Sequence, residues 1–271
     1  VLERAYDTVE QIGVGTGLHR RRTGNYDAIV MYHSVRHSDR VRPGTSDLTP
    51  GELRAHLTYL DDHFEIVDVR TVADTTDSGE KRVALTFDDG YRDFVTTVLP
   101  ILHEFDAPAT AFVVPGFLEG DVRRLQAANA GHVFETLTTT DLEALADDPL
   151  VTLGNHTRTH HDLGLHHEED IIREEVIGGK DLLEERFSVD IDLFCYPRGN
   201  FNETSLQIVK ESHALAVQAE SRRCLHPSDD RYVLPRVDGG AGLRAVAWRT
   251  ADLNVPLVRT AGRRFGIGSL G

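Results

Sequence analysis

Val83-Ala84-Leu85-Thr86-Phe87-Asp88-Asp89-Gly90-Tyr91 begins as an apolar, β-prone run and stops abruptly at two carboxylates and a glycine. The first five residues read as a strand and the stop as a turn at its end. Adjacent side chains on an extended chain point to opposite faces, so Asp88 and Asp89 diverge. Gly90 permits a sharp turn after them, which lets one carboxylate face a metal while the other faces a bound water. Taken alone, Asp-Asp-Gly is equally at home in an ordinary turn.

The same pattern of strand and break extends outward in both directions. Upstream, Ala28-Ile29-Val30-Met31-Tyr32 reads as a buried strand. Thr49-Pro50-Gly51-Glu52 opens a helix with Pro in its first turn and Glu placed for a capping box. That helix runs to about His63 with Leu53, Leu57 and Leu60 on one face, and residues 64–69 read as a half-exposed strand. Downstream, a helix is predicted over 93–105, distorted at Pro100. Strands follow at 109–114, 151–154, 191–196 and 214–218. Between them lie a capped helix opening at Thr140-Asp141-Leu142-Glu143, a long helix over 168–187 and a helix from Asn202 to about Ser212. Strands spaced by helices imply parallel βαβ units. Seven or so units in about 240 residues predict an α/β fold, a single distorted (β/α) barrel of about seven parallel strands.

Composition narrows the function classes. The 271 residues carry 44 acidic and 29 basic side chains, a net charge of −15. A field of that sign repels phosphate backbones, so nucleic acid is excluded as a partner. The densest apolar stretch, 107–118, falls short of the roughly 20 residues of a membrane-spanning helix. Lys81, Lys180 and Lys210 are the only lysines. An acidic, lysine-poor balance suits a halophilic protein in a high-salt cytoplasm, where ions screen self-repulsion. The start, Val1-Leu2-Glu3-Arg4, does not read as a secretory leader, and a cytoplasmic location is the expectation. Cys195 and Cys224 do not suggest a disulfide framework. Leu2, Tyr6, Val9 and Ile12 have near-helical spacing before His19-Arg20-Arg21-Arg22, so residues 1–26 are read as a helical extension. Residues 27–240 are then the main domain and 241–271 a C-terminal extension.

Two further polar clusters follow predicted strands, where α/β barrels build their sites. Asn155-His156-Thr157-Arg158-Thr159-His160-His161-Asp162 places His156 and His160 four apart, so one compact turn brings both imidazoles to one side. Two histidines and a carboxylate form a metal site with open positions for water and substrate. In Phe194-Cys195-Tyr196-Pro197-Arg198-Gly199-Asn200, Pro197 fixes a bend and Gly199 allows close approach of the main chain.

Together the three clusters resemble the motifs of the polysaccharide deacetylases, carbohydrate esterase family 4, with its nodulation-deacetylase-like domain. Thr86–Gly90 is similar to the first motif, His156–His160 to the second and Phe194–Gly199, more loosely, to the third; the likeness spans roughly residues 27–238. The resemblance implies Asp88 as general base and Asp89, His156 and His160 as ligands of one divalent ion, usually zinc. His161 stands where relatives often have Pro, and Arg198 where they often have Tyr. Tyr196, through its backbone N–H, together with Pro197, Arg198 and Arg236, is expected on the substrate and oxyanion side. The family's usual late histidine is missing, because residues 239–271 contain none. Met31-Tyr32-His33-Ser34-Val35 resembles instead the circularly permuted exopolysaccharide-deacetylase-like members, which makes His33 the general acid. Arg236, in Leu234-Pro235-Arg236-Val237, either holds Asp88 ionised or pairs with Asp238.

The activity so implied is metal-dependent removal of N-acetyl groups from amino sugars of a glycan or polysaccharide. A metal-dependent amidase for small amides or cyclic imides is the alternative within the same chemistry, and an inactive glycan-binding module the alternative outside it. A pure binding module has no use for a base and an acid beside a metal site.

Overall fold

The computed structural model describes residues 26–36, 47–74, 81–119, 135–165, 168–221 and 223–251. In chain order its elements are β1 (Ala28–Tyr32), α1 (Pro50–Asp61), β2 (Glu65–Ile66), α2 (Val69–Ala73), β3 (Arg82–Phe87), α3 (Leu99–Phe105), β4 (Ala109–Val113), α4 (Thr139–Ala146), β5 (Val151–Asn155), α5 (Glu169–Arg173), α6 (Gly179–Phe187), β6 (Leu193–Cys195), α7 (Glu203–Ser212), β7 (Leu215–Ser221), β8 (Leu234–Asp238) and α8 (Leu243–Arg249). Seven parallel strands close a ring in the order β1-β3-β4-β5-β6-β7-β8 and back to β1, with β2 a short addition at the start of β3. This is the single-domain α/β barrel that the alternation predicts. Among the described residues no helix is long and apolar enough to cross a membrane.

Parity along the strands separates the inside of the ring from the outside. Ile29, Ala84, Phe112, Leu193, Cys195, Leu215, Val217 and Leu234 come from six different strands and pack into one cluster, the barrel interior. Their neighbours Val30, Val83, Leu85, Ala111 and Val113 face outward onto Leu53, Leu57, Ile101 and Leu102 of the helices. Gly154 on β5 leaves room for the Phe112 ring, since a Cβ there would lie 2.5 Å from Phe112 Cδ1.

Side-chain caps open four of these eight helices, α1, α2, α4 and α7. Thr49 and Glu52 form the expected capping box on α1, and Asn202 caps α7 as expected. Three readings need correction. The 64–69 strand is only two residues long, because the Asp68 side chain accepts the Arg70 N–H at 2.8 Å and starts α2. The cap of α4 is Thr138 with Asp141, two residues before the expected Thr140. The distortion expected at Pro100 lies just upstream, as a π turn over Phe94–Val98; Pro100 has no N–H to give the turn before it. A second π turn, Glu174–Gly178, joins α5 to α6.

β8 carries Pro235 inside a strand, which pattern reading disfavours. It is accommodated at an irregularity in the β7–β8 register between Val217 and Glu220, while pairing to β1 begins only at Val237. α8 packs beside α1, where Tyr59 Oη donates to Ala247 O. The amphipathic 1–17 stretch, the arginine run after it and most of the proposed terminal extensions lie outside the described residues.

Candidate active site

The inward parity of β3 runs Ala84, Thr86, Asp88, so the carboxylate of Asp88 ends the strand pointing into the mouth of the ring. Inward parity on β8 likewise brings Arg236 up above Leu234, and on β6 it brings Cys195 above Leu193. These side chains meet. Arg236 Nη1 and Nη2 donate to Asp88 Oδ1 and Oδ2, both at 2.7 Å, in a bidentate pair. The same guanidinium donates to Gln218 O at 2.6 Å and Thr86 Oγ1 at 3.0 Å, and stands over the Phe112 ring. Cys195 Sγ lies 3.2 Å from Nη2 and 3.5 Å from Asp88 Oδ2. Burial pushes the Asp88 carboxyl up, but the charge and hydrogen bonds of Arg236, helped by His156 and His33, outweigh it and hold the group below its usual value. Asp88 is therefore ionised although only 5% exposed.

Of the two partners open to Arg236, the structure selects Asp88; Asp238 instead accepts the Gly240 N–H at 2.8 Å. The placement of Arg236 on the substrate side is corrected. It is 1% exposed and lies behind Asp88, with its fork occupied, because inward-facing residues near the strand end sit beneath the mouth.

Asp89 leaves the strand in the left-handed region at φ 73°, followed by Gly90 at φ 68°, and this turn swings its carboxylate away from Asp88. Asp89 Oδ1 lies 3.4 Å from His156 Nε2 and 3.2 Å from His160 Nε2, and the two imidazoles meet edge to face. These three donor atoms lie close enough together to hold one metal ion. The donor chemistry fits a cation. His156 Nδ1 lies 2.8 Å from Cys195 O, which can only accept, so in the neutral ring Nε2 turns a lone pair toward the carboxylate. Two acceptors facing each other call for a positive charge between them. Without an ion, burial disfavours charge on His156, yet Cys195, Asp89 and Asp88 hold its pKa well above the usual imidazole value, so a proton takes the place that a cation would fill. Burial likewise raises the Asp89 carboxyl, but His156 and His160 carry it well below the usual range. A second grouping, Asp88, His156 and Cys195, is close enough on distance alone, but the Arg236 guanidinium already paired with Asp88 opposes a second cation there.

His33 follows β1 directly. The Asp88 N–H donates to Tyr32 O at 3.0 Å, which ties the two strand ends together and brings His33 beside the carboxylates. Its Nδ1 is buried without a hydrogen-bond partner. The next residues are pinned by Asp93, which accepts from Ser34 Oγ at 2.5 Å and Val35 N at 3.2 Å. His161 turns away from the trio, its Nδ1 3.6 Å from Glu175 Oε1.

The third motif is placed differently from expectation. The Tyr196 N–H is donated to Val217 O at 3.1 Å, so the barrel ladder uses it and it cannot also hold an oxyanion. Tyr196 and Pro197 are buried, whereas Arg198 stands exposed at φ 59°. Three contributors are not marked as site residues by the sequence: Cys195, which reads as a strand residue, Asp93, which falls in a predicted helix, and Glu175. Parity on β6 was the available signal for Cys195; the other two had none.

The polysaccharide deacetylase family pattern matches residues 75–217 of 271. YxkH of Bacillus subtilis (strain 168), a protein named as a polysaccharide deacetylase, is 26% identical over 227 residues, covering 81% of this chain and 74% of its own. Among solved structures, IcaB from Ammonifex degensii superposes with a TM-score of 0.70 at 21% identity, covering 83% of this chain and 98% of its own. The Streptococcus pyogenes deacetylase PplD, in complex with acetate, does so with a TM-score of 0.67 at 24% identity, covering 79% and 92%. These two likenesses concern the fold. His33 and Arg236 fall outside the matched span, while Asp88, Asp89, His156 and His160 fall within it. With more than half of its length matched, on a barrel of the same fold, this chain belongs to the polysaccharide deacetylase family.

Proposed function

We propose that this protein is a metal-dependent N-deacetylase that hydrolyses the acetamide of an amino sugar in a glycan, with zinc as its ion and His33 as its acid. The observation that carries the reading is the convergence, at one barrel mouth, of the Asp89–His156–His160 trio, the buried ionised Asp88 and His33. A divalent cation bound by the trio supplies Lewis acidity, polarising a carbonyl and making water easier to deprotonate. Asp88, held ionised by Arg236, accepts the proton of the water whose oxygen attacks the acetyl carbon. His33, at the neighbouring strand end, donates a proton to the nitrogen as the C–N bond breaks. Acetate and a free amine leave. Acetate, the small product of this reaction, is bound in the solved PplD structure. An acid supplied by the first strand corresponds to the circularly permuted arrangement.

The test is metal content of the purified chain together with acetate release from N-acetylglucosamine oligomers, with and without zinc. One ion per chain and zinc-dependent acetate support the reading. Asp88→Asn is expected to keep the ion and lose hydrolysis, and His156→Ala to lose both. Wild-type turnover by Asp88→Asn would remove the base assignment.

A further inference from the structure

The loop that carries His156 and His160 is folded against the preferences of its own residues. Thr157 and His160 both have positive φ, 61° and 59°, and Thr is β-branched. Such conformations persist only where the surroundings over-determine them. On one side Gly116 N donates to Arg158 O at 2.8 Å, and a Cβ at Gly116 would come within 2.5 Å of that oxygen. Within the loop, Thr157 Oγ1 accepts the His161 N–H at 3.0 Å.

On the other side stands the π turn Glu174–Gly178, and within it Glu175, only 6% exposed. Its carboxylate accepts the Thr159 N–H at 2.8 Å and the Thr159 hydroxyl at 2.5 Å. Its carbonyl accepts the Arg158 N–H at 2.8 Å. The same carboxylate lies 3.6 Å from His161 Nδ1, so Glu175 bonds the residue before His160 and borders the one after it. Gly179, one residue past the turn, lets the helix close on the loop, since a Cβ there would lie 2.9 Å from Arg158 N. A buried carboxylate is costly unless its partners are fixed, and none of these partners takes part in the proposed reaction. π turns occur often at functional sites because they re-aim residues that a regular helix would place elsewhere.

We propose that Glu175 is a positioning residue for the metal site: it holds the His156–His160 loop in its strained form, so that His160 Nε2 faces Asp89 before an ion arrives. This rests on the metal reading above. Glu175→Ala removes the carboxylate's two bonds to Thr159 and keeps the main-chain bond to Arg158. Glu175→Gln keeps the volume and one acceptor for the Thr159 N–H, so its effect is intermediate.

The experiment uses the full chain stripped of metal, with zinc titrated against a competing chelator and melting followed with and without zinc. The expected result is zinc affinity weakened about 10–100-fold in Glu175→Ala, the usual consequence of losing an outer partner of a ligand. A smaller loss is expected in Glu175→Gln, with a matching decrease in the melting shift that zinc produces. If Glu175→Ala does not fold, a weakened zinc affinity in Glu175→Gln carries the same conclusion. Folded variants with wild-type zinc affinity, even if their metal-free melting temperature drops, would overturn this inference and leave the metal reading standing. A wild-type chain that binds no zinc would overturn both.

Discussion

Replacing Arg236 by Met tests the account of the site most directly. The substitution keeps an unbranched, apolar side chain in the barrel but removes both 2.7 Å bonds to Asp88 and those to Gln218 O and Thr86 Oγ1. Asp88 is then a buried carboxylate facing Cys195 with no cation behind it. Breaking a buried pair by removing one partner costs about 3–5 kcal/mol, mostly the penalty of the charge left alone. At roughly 2–4 °C per kcal/mol for a chain of this size, melting falls on the order of 10 °C. The diagnostic quantity is the coupling. Asp88→Asn added to Arg236→Met removes the stranded charge, so the double variant is expected to be more stable than Arg236→Met alone. The assay is urea unfolding of wild type, both single variants and the double variant, without metal, analysed as a double-mutant cycle. A coupling below about 0.5 kcal/mol, the scatter expected of independent sites, would refute the claim that Arg236 exists to hold Asp88.

Two other substitutions probe neighbouring parts of the mouth. His33→Ala is expected to slow amide cleavage about 10²–10⁴-fold, the usual worth of a general acid, while harming much less an ester whose leaving group needs no proton. Equal loss on both substrates, measured as kcat/KM, would deny His33 that role. Asp93 is a pH test: burial, opposed by its bonds from Ser34 and Val35, raises its carboxyl to about 6. A group protonated more readily in the folded than in the unfolded chain adds stability below its unfolded pKa, near 4, and that stability is lost as pH rises through 6. Relative to Asp93→Asn, which does not titrate, wild type should therefore lose roughly 2.5 kcal/mol between pH 4 and pH 8. Urea unfolding of the two metal-free proteins at both pH values would show a constant difference if this is wrong.

Much of the scaffold was legible because it is written locally. Apolar strands β1, β3, β4 and β5 are separated by helices, two of them opened by capping boxes, and a cap such as Asn202 with the Ser205 N–H needs only residues three apart. Local reading failed where two local solutions compete. Thr138 with Asp141 and Thr140 with Glu143 are equally good capping pairs on paper, and only packing of the buried Leu137, Leu142 and Leu145 selects the first. Strand β8 is marked in the sequence only through the resemblance, as a strand end at Arg236; Pro235 inside it is accommodated by the register irregularity with β7.

The site divides along the same line. The residue types and spacings of Thr86–Gly90 and His156–His160 already specify a carboxylate pair at a strand end and two imidazoles on one turn. These are short-range consequences of backbone geometry, and they suffice to name the family. The partner of Arg236 is a carboxylate 148 residues away, while another, Asp238, lies two residues along the chain. Choosing between them requires knowing which face of β8 points inward after its irregular register, and that β1 closes the ring between β8 and β3. The engagement of the Tyr196 N–H by Val217 and the grip of Glu175 on the histidine loop have the same origin. Pairings of this kind follow from strand register and barrel closure, which no single stretch of sequence contains, so only the tertiary structure decides them.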